Sequence, residues 1–369
     1  MTLATDYAII NLSIYLLIKL FKHKHKGFIK MESFGVYTLA NDVVYNQLIA
    51  LLNSIEVNVS PNIPICIIPY DGRLNRVRQE VNSRKNVILY DNWEVIQHWE
   101  EFAHQVWVAH PREMWSKASR PTWYKSHLQR KFVTFDGIFE QFVFYDCDSL
   151  VMKPVDDVIK KLAIYDFIFD DWEHTKPRSV AALDIAVVEA SGMYTEANIR
   201  PKLHCSSFFG GKRGLFTAQD IAAMKQRLIA QREVEWINKT GWWDDAFLFN
   251  YMTLGGDRSL FNFTLSPDHQ DRTGNCANAD IFLNINNILY DKNGLKPIHR
   301  IHYMSYSPGD FARLCQGEDI NICYREEFLY YRFLKHPEHR PKKLEPQNMI
   351  SKTNQLFGKT MKKLQRTLF

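Results

Sequence analysis

Two aspartates flank one cysteine at the end of an apolar run. Phe142-Val143-Phe144-Tyr145 leads into Asp146-Cys147-Asp148, and Ser149-Leu150-Val151-Met152-Lys153-Pro154 follows. Where a strand passes into a loop, residues i and i+2 point the same way. Asp146 and Asp148 can therefore converge while Cys147 turns back toward apolar packing. Two carboxylates in one place repel, and each is costly near a core. A divalent cation removes that conflict. Oxygen ligands suit Mg2+ or Mn2+, and such sites often leave positions open for diphosphate oxygens. The stretch reads as a strand aiming two acids at a metal that holds a phosphorylated ligand. For an Asp-x-Asp in isolation, loop acids that cap or solvate are the alternative.

The surrounding pattern supplies the scaffold. Gly35–Ala40 reads as a strand, and Asn41–Ile55 as a helix with Val44, Leu48, Leu51, Leu52 and Ile55 on one face. Asn41 or Asp42 can cap it. Pro64–Asp71 and Asn86–Asp91 read as further strands, with a polar helical segment around Leu74–Arg84 and a Trp-rich one after Asp91. Phe139–Asp146 is the fourth strand. Strand and helix in alternation predict an α/β fold, with a Rossmann-like, mostly parallel sheet and helices on both faces. Ligands of such sheets gather beyond the carboxyl ends of the strands. Thr38-Leu39-Ala40-Asn41-Asp42 and Asp146-Cys147-Asp148 then face one crevice. Downstream, Thr217–Ile237 predicts a long helix and Arg325–Lys335 an aromatic one, and no internal repeat is visible.

Composition narrows the class. The chain has 369 residues, 46% hydrophobic and 24% charged, enough for a sizeable core. Its formal net charge of +5 suits anionic ligands or an anionic membrane surface. No basic-aromatic RNA-recognition signature is present, so nucleic acid is not an expected partner. None of the six cysteines forms a C-x-x-C pair, which speaks against a zinc ribbon. No Ser-His-Asp order stands out. The apolar run at residues 7–21 is shorter than the roughly 20 residues that span a bilayer, and Asn11, Ser13 and Lys19 interrupt it. Residues 1–30 read as an N-terminal extension, either upstream of a natural start at Met31 or a short membrane-associated helix. Residues 31–335 read as one domain and 336–369 as a basic linker and tail. In that tail Phe357, Met361, Leu364 and Leu368 form a helical stripe ringed by lysines, suited to an anionic bilayer or to the protein's own surface.

The segment FVFYDCDSLVMKP resembles the Asp-x-Asp segment of GT-A-fold glycosyltransferases, most of all glycosyltransferase family 8, which includes glycogenin and bacterial galactosyl- and glucosyltransferases. GVYTLANDVVYNQLIALLNSI is similar to that family's opening strand and helix, and the resemblance extends over residues 33–310. It implies transfer of a hexose from a UDP-sugar with Mn2+ and retention of anomeric configuration. Carried across by position, it implies nucleoside contacts from Thr38, Leu39, Asn41, Asp42 and Tyr45, with Asp146 and Cys147 also against the donor. It implies metal ligation by Asp146, Asp148 and His302, the last in HYMSYSP. Lys131, with Arg130 its rival, would reach donor phosphate or sugar hydroxyls. Ser206 and Ser207 stand where the family usually has Asn against the donor sugar. Asp244 and Asp245 replace an Asp-Gln pair, and one of them would meet the donor sugar beneath the anomeric carbon. The family's glycine after the histidine is Ser305 here, and Tyr306-Ser307 replaces the lysine that meets diphosphate. Arg300 or Lys296 is available instead.

The expected activity is therefore a metal-dependent glycosyltransferase with a glycan, glycolipid or protein acceptor, cytoplasmic or peripheral at the inner membrane face. Trp107, Trp115 and Trp123 fit a glycolipid acceptor loosely. The altered Ser305-Tyr306-Ser307 motivates a rival, a catalytically degenerate nucleotide-sugar-binding protein at the membrane surface. A nucleotidyltransferase would want a Gly-rich phosphate loop, which the first strand lacks.

Overall fold

The protein is described from a computed structural model, covering residues 32–111, 127–238, 245–277, 282–285, 288–292 and 296–346. Strands run β1 (Glu32–Ala40), β2 (Ile65–Pro69), β3 (Val87–Leu89), β4 (Phe139–Tyr145), β5 (Ser149–Val151), β6 (Phe167–Phe169), β7 (Phe208–Lys212), β8 (Leu260–Asn262), β9 (Phe282–Ile285), β10 (Ile288–Asp291) and β11 (Arg300–His302). Seven of them form one sheet in the order β3-β2-β1-β4-β7-β6-β8. β1 pairs in parallel with β2 and β4, β2 with β3, and β6 with β8, while β7 runs antiparallel to both β4 and β6. The expected α/β, mostly parallel sheet is what forms.

Alternation along β4 explains why both faces are covered. Phe142 and Phe144 join a core with Tyr37, Leu39 and Phe209 on one side. Val143 and Tyr145 join Val36, Ala40, Ile168 and Phe208 on the other. A third apolar cluster gathers Leu150, Ile301, Tyr303, Phe311 and Phe328 with Ala50 of the helix Tyr45–Asn58. It seats the small β11-β5 antiparallel ladder beyond the end of β4.

Several expectations change in detail. The long helix expected over 217–237 stops at Ile229, because Arg232 takes a left-handed φ of 62° before a short 3-10 turn at Glu233–Trp236. Gly210 and Gly211 lie within β7, where a Cβ on Gly210 would come within 2.7 Å of Ile168. Trp107 is buried in the first core and offers no platform to a glycolipid, while Trp115 and Trp123 lie outside the described residues. The segment expected as a linker is docked through Glu345, whose N–H donates to the Gly317 carbonyl at 2.7 Å and whose carbonyl accepts from Asp319 at 2.7 Å. Residues 1–30 and the amphipathic stripe from Phe357 onward also lie outside the described residues. Among the described residues no helix is long and apolar enough to cross a membrane.

One buried histidine gives the fold a pH signature. His204 is enclosed by Phe167, Phe169 and Phe249. Its Nδ1 lies 2.9 Å from the Cys205 carbonyl and its Nε2 2.9 Å from the Thr253 hydroxyl, an arrangement that a neutral ring satisfies. Burial lowers its pKa from 6.5 to about 4. The unfolded chain therefore takes up the proton first. Stability is intact above the unfolded value and is lost as pH falls toward about 4, by on the order of 3 kcal/mol in total. Urea unfolding at neutral pH and near pH 4.5 should show a larger loss for the wild type than for His204→Gln. Equal losses in the two proteins would remove His204 from the acid response.

Candidate metal and donor site

Asp146 and Asp148 sit where β4 turns into β5, and the Ser149 N–H closes that turn on the Asp146 carbonyl at 3.1 Å. β5 then pairs with β11 in the register His302↔Ser149, and the Tyr303 N–H donates to the Asp148 carbonyl at 2.9 Å. This short ladder brings an imidazole from far along the chain to the paired acids. His302 Nε2 lies 3.4 Å from an Asp148 carboxylate oxygen. One donor atom from each of Asp146, Asp148 and His302 lies within 4.8 Å of the others. The charges in this group act strongly on one another. Burial raises the Asp146 pKa, with Asp148 adding to the effect and Lys131 opposing it. Burial also works against the Asp148 anion, but His302 outweighs it and holds that carboxyl below its ordinary value. His302 moves the other way: burial disfavours its charge, and Asp148 more than offsets this, lifting it to about 9. Two carboxylates and an imidazole are a donor set that fits Mn2+ or Mg2+.

Lys131 arrives from a 3-10 stretch, His127–Asp136. Gly137 follows this stretch, and a side chain does not fit there, because the Tyr37 hydroxyl lies 2.0 Å from where a Cβ would stand. That hydroxyl accepts the Ile138 N–H at 2.6 Å, anchoring the stretch against β1. The Lys131 side chain is only 2% exposed, and its Nζ lies 2.7 Å from Asp245 and 3.2 Å from Asp146. It also donates to the Ser206 carbonyl at 3.2 Å and hydroxyl at 3.3 Å. Burial opposes its charge, but Asp146 and Asp245 outweigh this and raise its pKa. The rival Arg130 is occupied elsewhere, on Glu100 at 2.7 Å and the Pro69 carbonyl at 2.7 Å. The antiparallel register Tyr145↔Phe208 carries Ser206 and Ser207 to the same place, with the Asp146 N–H donating to the Ser207 carbonyl at 2.8 Å.

A cavity of about 470 Å3 opens beside this group, lined by Asp171, Trp172, Cys205, Ser207, Arg300 and His302 among others. Arg300 is buried and pairs with Asp170 at 3.1 Å, yet its Nε and Nη1 have no partner among the described residues. Lys296, the other cation offered for diphosphate, is withdrawn: its Nζ donates to the carbonyls of Phe263, Thr264 and Ser266. Arg300 alone of that pair lines the cavity. Asp171 escaped sequence reading. Its signal was present, since Phe167-Ile168-Phe169 runs into Asp170-Asp171 as β4 runs into its acids. Burial, with Glu173 adding, holds the Asp171 carboxyl well above its ordinary range.

The chain is similar to several solved structures. An apo structure of the bifunctional glycosyltransferase WbbM aligns at 13% identity and TM-score 0.49, over 82% of this chain and 50% of that one, so this chain spans half of WbbM's length. The galactosyltransferase LgtC, in complex with donor and acceptor sugar analogs, aligns at 11% identity and TM-score 0.49, over 81% of this chain and 95% of that one. Mouse xyloside xylosyltransferase 1 aligns at 7% identity and TM-score 0.46, over 66% of this chain and 88% of that one. These neighbours are glycosyltransferases. No family model matches the chain, and no curated protein does.

In the opening segment, expected to meet the nucleoside, most polar atoms have partners within the protein. Thr38 is fully buried in β1, with no partner for its hydroxyl, and Leu39 packs in the first core. The Asn41 side chain accepts the Val43 N–H at 3.0 Å and donates to Asp71 at 3.0 Å. Asp42 takes the N–H groups of Asn75 at 2.8 Å and Val77 at 3.0 Å, capping the helix Asn75–Ser83. The Tyr45 hydroxyl donates to Glu80 at 2.9 Å, and its ring lines a different cavity. Asp42 and Tyr45 therefore spend their polar atoms on neighbouring protein groups. Cys147 likewise turns into apolar packing, its Sγ 3.8 Å from the Val44 carbonyl, so its thiol is not offered to a donor. Ser206 serves Lys131, whereas Ser207 lines the cavity. Asp245 begins the helix Asp245–Gly255 and faces Lys131; Asp244 lies outside the described residues.

Ser305 stands at φ 78°, the left-handed backbone that glycine adopts without penalty. The conformation expected of a glycine there is thus kept by a serine. Ser307 caps the helix Pro308–Cys315 through a reciprocal capping box with Asp310. Ser305→Gly should stabilise the fold by about 1 kcal/mol. A matched pair of thermal melts checks this, and a lower melting point for the variant would contradict it.

Proposed function

We propose that this chain is a metal-dependent glycosyltransferase that moves a hexose from a nucleotide-sugar, a UDP-sugar by preference, to a glycan, glycolipid or protein hydroxyl with retention. The observation that supports it is the convergence of Asp146, Asp148 and His302 at the end of β4, backed by Lys131 and open to a cavity of about 470 Å3. When bound there, Mn2+ would supply Lewis-acid stabilisation of the departing diphosphate. The protein's own groups do the rest. Lys131 fixes positive charge under Asp146 and orients that carboxylate. Arg300 offers two buried N–H groups to the anionic part of a ligand in the cavity. Ser207 is placed to meet a hydroxyl on the cavity wall. Asp245, held by Lys131, keeps a carboxylate close to the reacting sugar, where positive charge develops.

The test is a panel of nucleotide-sugars assayed by thermal shift with and without Mn2+. A shift that needs both the nucleotide-sugar and Mn2+ is expected. Absence of any shift across the panel would end the donor assignment. Turnover of the shifting donor, read as release of nucleoside diphosphate, separates an enzyme from a protein that only binds.

A further inference from the structure

A second cavity, of about 540 Å3, shares no lining residue with the first. Its walls come from the helix Tyr45–Asn58, the helix Asn75–Ser83 and the chain from Arg332 to His339. Four cationic side chains line it: Arg76, Arg84, Arg332 and Lys335. Two are neutralised by neighbours. Arg84 pairs with Glu56 at 2.5 Å and Glu80 at 2.6 Å, and Lys335 with Glu56 at 2.7 Å. The other two are not. The Arg76 guanidinium carbon lies 3.8 Å from the Tyr45 ring centroid, and that of Arg332 lies 5.9 Å from the same centroid. Arg332 donates its Nε to the neutral Asn46 side chain at 2.9 Å. Among the described residues neither arginine enters an ion pair. Glu80, the acid nearest the ring, already takes the Tyr45 hydroxyl on one oxygen and Arg84 on the other.

The Tyr45 ring thus has Arg76 stacked on it and Arg332 at its margin, the latter also 4.8 Å from the Phe333 centroid, and both oxygens of Glu80 are already engaged. Like charges held together in this way favour a bound anion. Arginine forks match tetrahedral oxyanions, and the ring fixes where the forks sit. His336 and His339 line the same cavity and add ring nitrogens. With Glu338 they form a group whose donor atoms lie within 4.8 Å of one another. A dication there would face the excess charge of the arginines, so the field favours an anion over a metal.

We propose that this cavity binds a phosphate group between Arg76 and Arg332 over the Tyr45 ring, separately from the metal site. That group belongs either to a soluble phosphate ester or to a phospholipid headgroup. The experiment uses the full chain in chelator, so that no metal-bridged binding contributes. Inorganic phosphate is titrated by calorimetry, and vesicles of phosphatidylcholine with and without phosphatidic acid are tested by co-sedimentation. Binding in either arm should weaken by about tenfold or more in Arg76→Ala and in the double variant Arg76→Ala/Arg332→Gln. It should persist in Asp148→Ala. Phosphate binding alone marks a soluble ester, whereas sedimentation that depends on both phosphatidic acid and Arg76 marks a headgroup. Arg76 is exposed, so Arg76→Ala should fold even if Arg332→Gln does not. No binding in either arm, binding indifferent to Arg76, or loss of binding in Asp148→Ala would each overturn the proposal.

Discussion

Asp148→Ala is expected to abolish the Mn2+-dependent thermal shift by nucleotide-sugar and to lower turnover by at least about 1,000-fold. Asp148 is the acid that the His302 ring faces at 3.4 Å, and its carboxylate is the more readily ionised of the pair. Its loss would leave a bound ion one carboxylate and an imidazole without its neighbour. Removing Asp148 relieves its repulsion of Asp146 but also leaves the His302 ring without its acidic partner, so the metal-free variant should melt below the wild type at neutral pH. Asp148→Asn keeps the volume and a polar partner for the ring, and should lose the response to metal with donor while unfolding cooperatively, which separates a ligand from an acid needed only for folding. An undiminished response would show that the ion, if any, binds elsewhere.

Lys131→Met should be damaging in both respects. Its ammonium is enclosed against Asp245 at 2.7 Å and Asp146 at 3.2 Å. Removing it strands buried negative charge, and breaking such a pair from one side costs about 3–5 kcal/mol. On the proposed function turnover should also fall, by about 100-fold or more, since a fixed positive charge that would face the leaving group is lost. Adding Asp245→Asn removes one stranded charge. The double variant should regain part of the stability measured by urea unfolding, but not the turnover. A single variant that unfolds like wild type would show that Lys131 is not the counterion described here.

Much of the scaffold was legible because it rests on local pattern. The alternation of Gly35–Ala40, Pro64–Asp71, Asn86–Asp91 and Phe139–Asp146 with helical stretches anticipated β1 to β4 and their parallel pairing. Asp-x-Asp at a strand end was readable for the same reason, since period-2 geometry aims both acids one way. The partners in the site were less accessible. His302 reaches Asp148 only through the three-residue ladder of β5 with β11, and nothing local to residue 302 announces that pairing. The surroundings of Asp42 and Tyr45 were not legible, because a carboxylate and an aromatic ring suit a nucleoside and a helix cap or cation stack equally well. Only the packing of the helix Asn75–Ser83 shows that Asp42 caps it and that Arg76 stacks on the Tyr45 ring. Lys296 and Arg300 look interchangeable in sequence. In the fold one is consumed by backbone carbonyls, and the other faces the cavity with donors to spare.

The ladder of β5 with β11 has a consequence for how the protein reaches its working form. Its two strands are remote in sequence, and closing so long a loop is entropically late in folding. The main sheet can therefore assemble while the histidine-bearing strand is still undocked. An ion that holds both sides would act as a clasp, trading its coordination energy for the lost freedom of the intervening chain. Amide exchange along Arg300–His302 should consequently slow when metal is added, while β1 and β2 exchange at an unaltered pace.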